Sequence, residues 1–290
     1  MNEETLQNYL PQLSWLTHND RAYACFGEQL QPVDVPLSEQ SKLAIIIHHL
    51  TVIKISGIDA LTFLQGQLTS DLSKTSSQPI ACYCSRKGRI IAIVYIGQVE
   101  NDFYLWLPTE LSELVIKQLK KYSIGTKVLI QRLDVMPLAL PETAPPELSS
   151  ALLQNTPISK LFDWQLSFID ETHLKELPAI LKQHNYHLVG DLIWHQIQLK
   201  NKVPSIYRST VNQYLPHDLE LHSQNAISFD KGCYIGQEII ARMHYKAKLK
   251  YHLEYSDEKI ENPTPGIENI VDSLIINNCQ QHLLLKKKTK

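Results

Sequence analysis

The feature that most constrains the fold is an apolar pattern that switches repeatedly between strand and helix spacing from residue 43 to residue 136. Residues 43–56 (LAIIIHHLTVIKIS) are rich in β-branched side chains and predict one strand, which Gly57 ends. Asp59 then predicts the cap of a helix. The apolar face of that helix would consist of Leu61, Leu64 and Leu68.

The same stretch continues with further strands and a second helix. Residues 79–85 and 89–97 predict two strands, joined by a hairpin loop in which Gly88 supplies a positive φ. Another strand begins at Phe103. Pro108 and Thr109, followed by apolar residues at helical spacing, predict a helix that Gly125 ends before a last strand at residues 126–135. The order β-α-β-β-β-α-β is close to a split βαβ unit with one additional strand, which predicts a ferredoxin-like α+β domain.

Chain length and proline content predict a multi-domain α+β protein. A chain of 290 residues exceeds the roughly 100–200 residues usual for one domain, and four prolines between residues 137 and 146 mark a linker. Beyond the linker we expect a strand at 161–169, helices at 174–184 and 191–199, and an irregular loop at 201–228. The predicted parts are an N-terminal segment (1–42) packing on the second domain, the ferredoxin-like domain (43–139), a second α+β domain (140–250) and a reduced C-terminal β segment (251–290).

Composition excludes strong bulk attraction to polyanions. The 28 basic and 30 acidic residues leave a formal charge of -2, so neither nucleic acid nor an anionic membrane is required as a partner. The acidic start, with no apolar run near the ~18 residues of a membrane span, predicts a cytoplasmic protein. Five cysteines at spacings that match neither a disulfide framework nor a zinc site predict free thiols, and we assign no metal.

The cysteine segment near residue 233 carries the most distinctive chemistry. Gly232 and Gly236 bracket Cys233, and apolar residues at helical spacing follow, which predicts a tight turn leading into a helix. A thiol near a helix start and two residues from Lys231 is expected to have a lowered pKa, and so to be reactive or to bind metal. The alternative is a small buried cysteine whose glycines serve packing alone.

Positive charge is concentrated around and after that cysteine. Residues 231–252 contain five basic side chains and a single acidic one, Glu238. The basic residues are Lys231, Arg242, Lys246, Lys248 and Lys250. This pattern predicts either an anion site or a solvated helical face.

Two motifs carry a resemblance to a known family. KGCYIGQE at residues 231–238, with Phe229 ahead of it, resembles the Lys-Gly-Cys-Tyr-x-Gly-Gln-Glu motif of the YgfZ-type folate-binding proteins. Residues 56–71, which begin with SGIDA and end with FLQGQLTSD, resemble that family's G-x-D-A-x-x-F-L-Q-G-Q-x-T-x-D helix. With the similar Lys-Gly-Arg at 87–89 and the loop at Pro216, the likeness extends over about residues 40–250.

The resemblance implies a fold, a cofactor and partners. The family is related to the aminomethyltransferase of the glycine cleavage system, which implies α+β domains arranged in a ring around a tetrahydrofolate pocket. Family members support iron–sulfur proteins, including enzymes that modify tRNA. The implied partners are therefore iron–sulfur client enzymes or assembly proteins and a small folate. From charge and composition we expect no direct nucleic acid and no membrane.

The resemblance also implies site residues. Cys233 would be the functional thiol, and Asp102 stands where the transferase relatives place a carboxylate near the folate amine. For an aspartate at a strand edge, an ordinary turn role is the alternative. The expected folate-binding residues are Lys231, Tyr234, Gln237, Glu238, Arg242, Asp71 and Arg89.

The chain also departs from the family pattern at several positions. Gln198 stands where family members tend to have an arginine, and a glutamine cannot bind a carboxylate through a guanidinium. Lys202, His217 and Ala247 are further departures.

Three hypotheses follow. The first is a non-enzymatic tetrahydrofolate-binding accessory protein for iron–sulfur cluster assembly or repair, which acts through Cys233 and supports enzymes such as those that modify tRNA. The second is a tetrahydrofolate-dependent aminomethyltransferase-like enzyme that uses Asp102. The third is a scaffold that no longer binds folate.

Overall fold

The computed structural model describes most of the chain as an assembly of strands and helices. The described residues are 3–18, 21–26, 42–74, 79–153, 155–246, 251–259, 270–276 and 279–287. Their strands form two five-stranded sheets, one three-stranded sheet and one two-stranded hairpin.

The elements have the following bounds. The helices are α1 (Glu3–Tyr9), α2 (Ala60–Gln65), α3 (Thr109–Tyr122), α4 (Pro146–Leu153), α5 (Glu171–Gln183), α6 (Asp191–Lys200) and α7 (Gln237–Lys246), with 3-10 turns at Leu72–Lys74 and Arg208–Thr210. The strands are β1 (Leu13–His18), β2 (Arg21–Phe26), β3 (Leu43–Ile46), β4 (Leu50–Ser56), β5 (Ile80–Cys84), β6 (Ile90–Val99), β7 (Asp102–Pro108), β8 (Leu129–Leu133), β9 (Met136–Pro141), β10 (Ser159–Leu161), β11 (Trp164–Ile169), β12 (His187–Val189), β13 (Tyr251–Lys259), β14 (Ile270–Ile276) and β15 (Cys279–Lys287).

The first sheet has the antiparallel order β5-β6-β7-β4-β8 and is covered on both faces. Helix α3 buries Leu111, Val115 and Leu119 against one face. The second sheet packs on the other face, where the Trp106 indole donates a hydrogen bond to the Ser167 carbonyl at 3.2 Å. Burial on both faces explains why β6 is an almost unbroken apolar run rather than an alternating one.

The second sheet has the order β10-β11-β9-β3-β12, and it corrects the prediction of a single strand at 43–56. The chain turns at residues 47–49, where the Leu50 amide donates to the Ile47 carbonyl, and β3 and β4 then belong to different sheets. Both pieces are buried, so no polar residue marks the break except the histidines within the turn.

A second predicted strand, at 161–169, is a hairpin in the structure. Phe162 and Asp163 both have positive φ, 56° and 67°, and they form the turn between β10 and β11. Neither residue is a glycine, so the sequence carried no sign of this turn.

Helix α2 is shorter than predicted and is capped differently. Asp59 is the N-cap residue, but its carboxylate makes no cap hydrogen bond and instead accepts the Lys127 amide at 2.7 Å. Leu64 and Leu68 are buried as expected, whereas Leu61 is 44% exposed. Asp59 therefore ties the start of α2 to the segment before β8.

The ends of the chain pack on the two central sheets. Helix α1 and the β1–β2 hairpin share a core with β9, α4 and α5, and the three-stranded sheet β13-β15-β14 contacts α6. The predicted mixed α+β architecture with a short C-terminal β segment is confirmed, whereas the predicted domain limits stay a prediction. No helix in the described ranges is long and apolar enough to cross a membrane.

Candidate functional site

The two family-like motifs meet in space and are held together by hydrogen bonds. The Lys231 ammonium donates to the carbonyls of Leu68 and Ser70 at 2.9 and 2.6 Å. Farther along, the Ile235 amide donates to the Gly66 carbonyl at 3.1 Å. We call this contact between residues 66–71 and 226–236 the motif junction.

Thr69 lies at the centre of the motif junction and is fully buried. Its hydroxyl donates to the Ala226 carbonyl at 2.6 Å and accepts the Cys82 amide at 2.8 Å. Its own carbonyl accepts the Ser228 amide at 2.8 Å. One side chain thus joins strand β5, the upstream motif and the segment that leads to Cys233.

Two glycines allow the hairpin at residues 85–89 to touch the turn before α7. Gly236 has φ +84°, and a Cβ on it would lie 2.6 Å from the Ser85 carbonyl oxygen and 2.9 Å from the Gly88 Cα. Gly88 also has a positive φ, +69°, and a Cβ there would approach Ile239 at 3.1 Å. The predicted tight turn into a helix is therefore present, and it is shaped by this close approach.

Cys233 is exposed on a loop whose two sides are fixed. Lys231 holds one side of the loop and Ile235 the other, both through the motif junction. A Cβ on Gly232 would meet no atom within 4 Å, so the loop itself has open space around it. Cys233 is therefore not the small buried cysteine of the alternative prediction. The thiol lies farther from the helix than predicted, since α7 starts at Gln237, four residues after Cys233.

The ammonium of Lys231 is partly removed from water. Burial lowers the pKa of Lys231 to about 8, and the negative charge of Asp71 opposes part of that shift. The ammonium also lies 5.3 Å from the centre of the Tyr234 ring. Lys231 therefore points inward as an anchor of the loop, and the expectation that it binds folate remains untested.

Tyr234 is the other inward side chain of this loop. It is buried near Cys82 and Cys84, and burial together with those two thiols raises the pKa of Tyr234. Its hydroxyl has no hydrogen-bond partner among the described residues. Cys82 and Cys84 are buried, which separates them from the exposed Cys233.

Asp71 is satisfied by its own surroundings. Its carboxylate accepts hydrogen bonds from the Gln65 amide at 2.8 Å and from the Ser73 hydroxyl at 2.8 Å, and it lies 3.6 Å from the Lys74 ammonium. The hydrogen bond from Gln65, with those from Ser73 and the charge of Lys74, lowers the pKa of Asp71 to about 2. Asp71 is thus an ionised acceptor that closes the turn after the upstream motif.

The remaining predicted binding residues lie around α7 and the nearby hairpin. The Gln237 side chain accepts the Tyr234 amide at 3.3 Å, which closes the turn before the helix. Glu238 and Arg242 form an exposed i,i+4 ion pair at 3.5 Å. The Arg89 guanidinium donates to the Gln213 carbonyl. These residues are close to Cys233 along the chain or across the Gly88–Gly236 contact.

Asp102 lies apart from this group. It begins β7, opposite Val99 at the far end of β6, and its carboxylate is 2.7 Å from the Lys54 ammonium. The hairpin that contacts Gly236 precedes Ile90 at the other end of β6, so the ten-residue strand separates the two places by roughly 30 Å. The structure therefore does not bring Asp102 and Cys233 to one reacting centre.

The departures from the family pattern fall in buried and turn positions. Gln198 is buried, and its amide donates to the Tyr95 hydroxyl at 2.5 Å. Lys202 has φ +57° just after α6. His217 is buried, with neither ring nitrogen hydrogen-bonded to a described residue, and burial with the neighbouring His222 and His244 lowers the pKa of His217 to about 4. Ala247, Lys248 and Lys250 lie outside the described residues.

Sequence reasoning missed a buried polar centre between β14, α6 and the segment after α6. Asp272 accepts the Tyr207 hydroxyl and the Ser205 amide, each at 2.7 Å, and His195 at 3.1 Å. Burial opposes the ionisation of Asp272, but His195 and these hydrogen bonds outweigh it and lower its pKa. No motif spacing links these residues, since Asp272 is on β14, His195 is on α6, and Ser205 and Tyr207 are on the segment after α6.

Arg21 completes the polar centre from strand β2. Its guanidinium donates to Glu110 at 2.6 and 2.9 Å, to the Ser205 hydroxyl at 3.1 Å, to the Tyr23 hydroxyl at 3.4 Å and to the Ile206 carbonyl at 3.3 Å. A buried arginine with this many partners is strongly held in place. Arg21 belongs to no recognisable motif, so the sequence did not predict that it would be buried among these partners.

Curated relatives identify the family. A "tRNA-modifying protein YgfZ" of Buchnera aphidicola subsp. Schizaphis graminum is 28% identical over 267 residues, which span 86% of this chain and 82% of the relative. The protein of the same description from Colwellia psychrerythraea is 26% identical over 227 residues, 73% of this chain and 70% of the relative. The chain belongs to the YgfZ family. A Haemophilus influenzae protein described as uncharacterized is 32% identical over 206 residues, 69% of this chain and 68% of the relative, while no family model matches.

A solved structure supports the fold of this YgfZ-family chain. The glycine cleavage system aminomethyltransferase T from Bartonella henselae superposes with a TM-score of 0.68 over 94% of this chain and 86% of its own length, at 13% identity. Identity this low shows the fold alone. The expected aminomethyltransferase-like fold is thereby confirmed for the YgfZ-family chain.

Proposed function

We propose that the protein is an accessory factor for tRNA modification that acts on iron–sulfur-dependent enzymes through the exposed thiol of Cys233. Its relatives are named tRNA-modifying protein YgfZ, which supports the tRNA-modification part of the proposal. We infer that it works in the cytoplasm, where reducing conditions keep thiols free.

The observation that carries the proposal is an exposed cysteine on an anchored loop. Lys231 and Ile235 fix the two sides of the loop through backbone carbonyls of the motif junction, while the Cys233 side chain faces solvent. An accessible thiol can react with a partner or share a metal ligand position, whereas a buried one cannot. Holding the backbone in place lowers the entropy lost when a partner is engaged.

A single thiol also sets a limit on the mechanism. Protein-bound iron–sulfur clusters take about four cysteine ligands. Cys233 therefore cannot hold a cluster alone, so the client or an assembly protein has to supply the other ligands. The proposed role is transient contact with a cluster or with a client cysteine.

Tetrahydrofolate binding is the part of the proposal that rests on the family and the fold alone. A cavity lined by Arg21, Tyr95, Gln198 and neighbouring residues at the polar centre has a volume of about 10 Å³, room for roughly one water. Pockets that bind drug-sized ligands, a class that includes folate, are roughly 300–1,000 Å³. The Arg21 guanidinium is also already engaged by Glu110 and Ser205. These residues do not fit a pterin and its carboxylates as they stand, and no step of the mechanism is assigned to folate.

The aminomethyltransferase-like fold is the observation that favours a second candidate, a one-carbon transferase using tetrahydrofolate. Its carboxylate would be Asp102, which is ion-paired with Lys54 at a strand end. Product formation from an aminomethyl donor, lost in Asp102→Asn, is the result that would support this candidate over the first.

The test of the leading proposal is made in cells that lack the endogenous protein. Cys233→Ala is expected to lower the extent of a cluster-dependent tRNA modification, measured by mass spectrometry of digested tRNA. Cys25→Ala is the matched control, because Cys25 is a buried thiol on strand β2. Full modification with Cys233→Ala would refute the thiol role.

A calorimetric titration of the purified protein with tetrahydrofolate tests the folate part separately. Saturable heat would support folate binding. Absence of heat at millimolar folate would refute it and leave the folate-free scaffold, without affecting the result for Cys233.

A further inference from the structure

Exposed basic side chains are concentrated in two segments that meet at the contact between Gly88 and Gly236. We define the basic face by Arg86, Lys87 and Arg89 of the hairpin and by Arg242 and Lys246 of α7, all of which are exposed. The protein as a whole carries a formal charge of -2, so this concentration is local. Such clustering on one face is the electrostatic footprint of a polyanion partner.

The two segments are in direct contact, so their charges combine. A Cβ on Gly236 would lie 2.9 Å from the Gly88 Cα, and a Cβ on Gly88 would lie 3.3 Å from the Ile240 side chain. Ile240 is fully buried under the hairpin, which turns the opposite face of α7 toward solvent. Arg242 and Lys246 belong to that outer face, four residues apart.

Little inside the protein competes for these charges. Glu238 is the acidic residue of α7 and lies 3.5 Å from Arg242, in a pair whose side chains are 85% and 62% exposed. Exposed pairs of this kind contribute little and exchange readily with other anions. Arg89 donates to the Gln213 carbonyl, and because that acceptor is neutral, the guanidinium keeps its full positive charge.

Helix α7 also carries an exposed aromatic ring. Tyr245 is 66% exposed and lies edge-on to His244 at 4.9 Å between ring centres. His244 in turn stacks on Phe229 at 3.8 Å with 19° between the ring planes. Tyr245 is therefore backed by a stack of rings and offers one more ring position to solvent. Aromatic rings set among basic residues are typical of sites for unpaired bases.

We propose that the basic face binds single-stranded RNA directly, with phosphates on Arg86, Lys87 and Arg242 and an unpaired base on Tyr245. This places the nucleotide beside the Cys233 loop, and it deepens the proposed function by naming RNA as a direct partner. It also departs from the expectation, drawn from bulk charge, that no nucleic acid is bound. An acidic protein surface would use the same charges, and displacement by poly-glutamate distinguishes that partner from RNA.

Binding is tested with the full chain, an unmodified tRNA transcript and an unstructured RNA oligonucleotide, at several salt concentrations. The double variant Arg86→Ala/Lys87→Ala is expected to weaken binding and to reduce the slope of log affinity against log salt by about 1 to 2. Lys120→Ala/Lys121→Ala is the matched control, since it removes two exposed adjacent lysines from α3, away from the basic face. The control is expected to bind like the parent protein.

The stacking part is tested at Tyr245. Tyr245→Ala is expected to weaken RNA binding roughly 5-fold or more, because loss of base stacking has about this effect. Tyr245→Phe keeps the ring and is expected to bind like the parent. Equal loss in both variants would refute stacking and the RNA assignment with it.

Further outcomes separate this inference from the proposed function. RNA binding that is absent, or that falls equally with the α3 control, or that poly-glutamate displaces as well as RNA does, overturns the inference. Cys233→Ala is expected to keep RNA affinity within about twofold even when it loses tRNA modification in cells. Loss of modification with intact RNA binding supports both ideas, and loss of modification without any RNA binding in the parent protein supports the thiol role alone.

Discussion

Replacing Gly236 with alanine tests the contact that shapes the Cys233 loop. Gly236 has φ +84°, and its added Cβ would lie 2.6 Å from the Ser85 carbonyl oxygen. Gly125, after α3, has φ +85°, but a Cβ there would meet nothing within 4 Å. The two glycines thus share the same backbone strain and differ only in the close approach to the hairpin.

The expected magnitudes follow from this difference. A non-glycine residue in the left-handed region costs about 1–2 kcal/mol, which is the whole effect expected for Gly125→Ala. Gly236→Ala adds an overlap with backbone atoms that cannot rotate away, and overpacking of this kind costs a further ~1–3 kcal/mol. For a chain of this size, 1 kcal/mol corresponds to about 2 °C in the unfolding temperature. We expect a Tm lowered by about 2–4 °C for Gly125→Ala and by about 4–10 °C for Gly236→Ala.

The assay is thermal unfolding followed by circular dichroism, with cysteine labelling of the folded variants as a second readout. Displacement of the loop should also change the rate at which Cys233 reacts in Gly236→Ala, but leave it unchanged in Gly125→Ala. Equal shifts in Tm for the two variants would contradict the close approach of the hairpin to the Cys233 loop.

Three further predictions concern single side chains. Thr69→Val leaves one carbonyl and one amide unpaired in the core and should lower the unfolding free energy by about 2–3 kcal/mol. Thr69→Ser keeps the hydroxyl and should retain most of the stability of the parent protein. Equal losses in the two variants would contradict the hydrogen bonds. Burial lowers the pKa of His217 to about 4 from 6.5, so the unfolded chain binds the extra proton between these values and stability falls as pH drops from 6.5 to 4. His217→Phe should lose less stability over that range in acid titrations than the parent, and an identical profile would refute this. Alkylation followed by mass spectrometry should modify Cys233 in the native protein well before Cys82 or Cys84, and early labelling of the buried pair would contradict their placement.

Local signals were enough to predict several elements from the sequence. Proline and threonine at 108–109 with helical apolar spacing predicted α3, and the glycine at 236 followed by apolar residues predicted α7. In both cases the start signal and the periodicity lie within about ten residues, so no distant contact is needed to interpret them.

The breaks between buried strands could not be predicted in the same way. The turn at 47–49 sits inside a continuous apolar run, and the chain changes sheets there because its two halves pair with different strands. Strand pairing is a long-range property, and composition reports only that both halves are buried. The turn at Phe162 and Asp163 is similar, since two non-glycine residues adopt positive φ under tertiary control.

The site was predicted as two separate motifs, and the structure adds how they are joined. Lys231 reaches carbonyls 163 and 161 positions earlier in the chain, and Thr69 reaches one 157 positions later. Backbone carbonyl partners leave no trace in residue identity, because every residue has one. The polar centre around Asp272 was missed because its partners lie on two other segments, at residue 195 and at residues 205–207, and no motif links the three.

The joined motifs also separate the residues that serve the fold from those that do not. Lys231 turns inward to carbonyls, Tyr234 turns inward to the core, and Gly236 permits the close approach to the hairpin. Gly232 and Cys233 also match the family motif, but a Cβ on Gly232 would meet no atom within 4 Å and Cys233 is exposed. Internal packing therefore accounts for neither residue, which supports the proposed contact of Cys233 with a partner. A bare glycine next to an exposed thiol leaves room for a partner to approach the sulfur closely, which is what a transient contact with a cluster or a client cysteine requires.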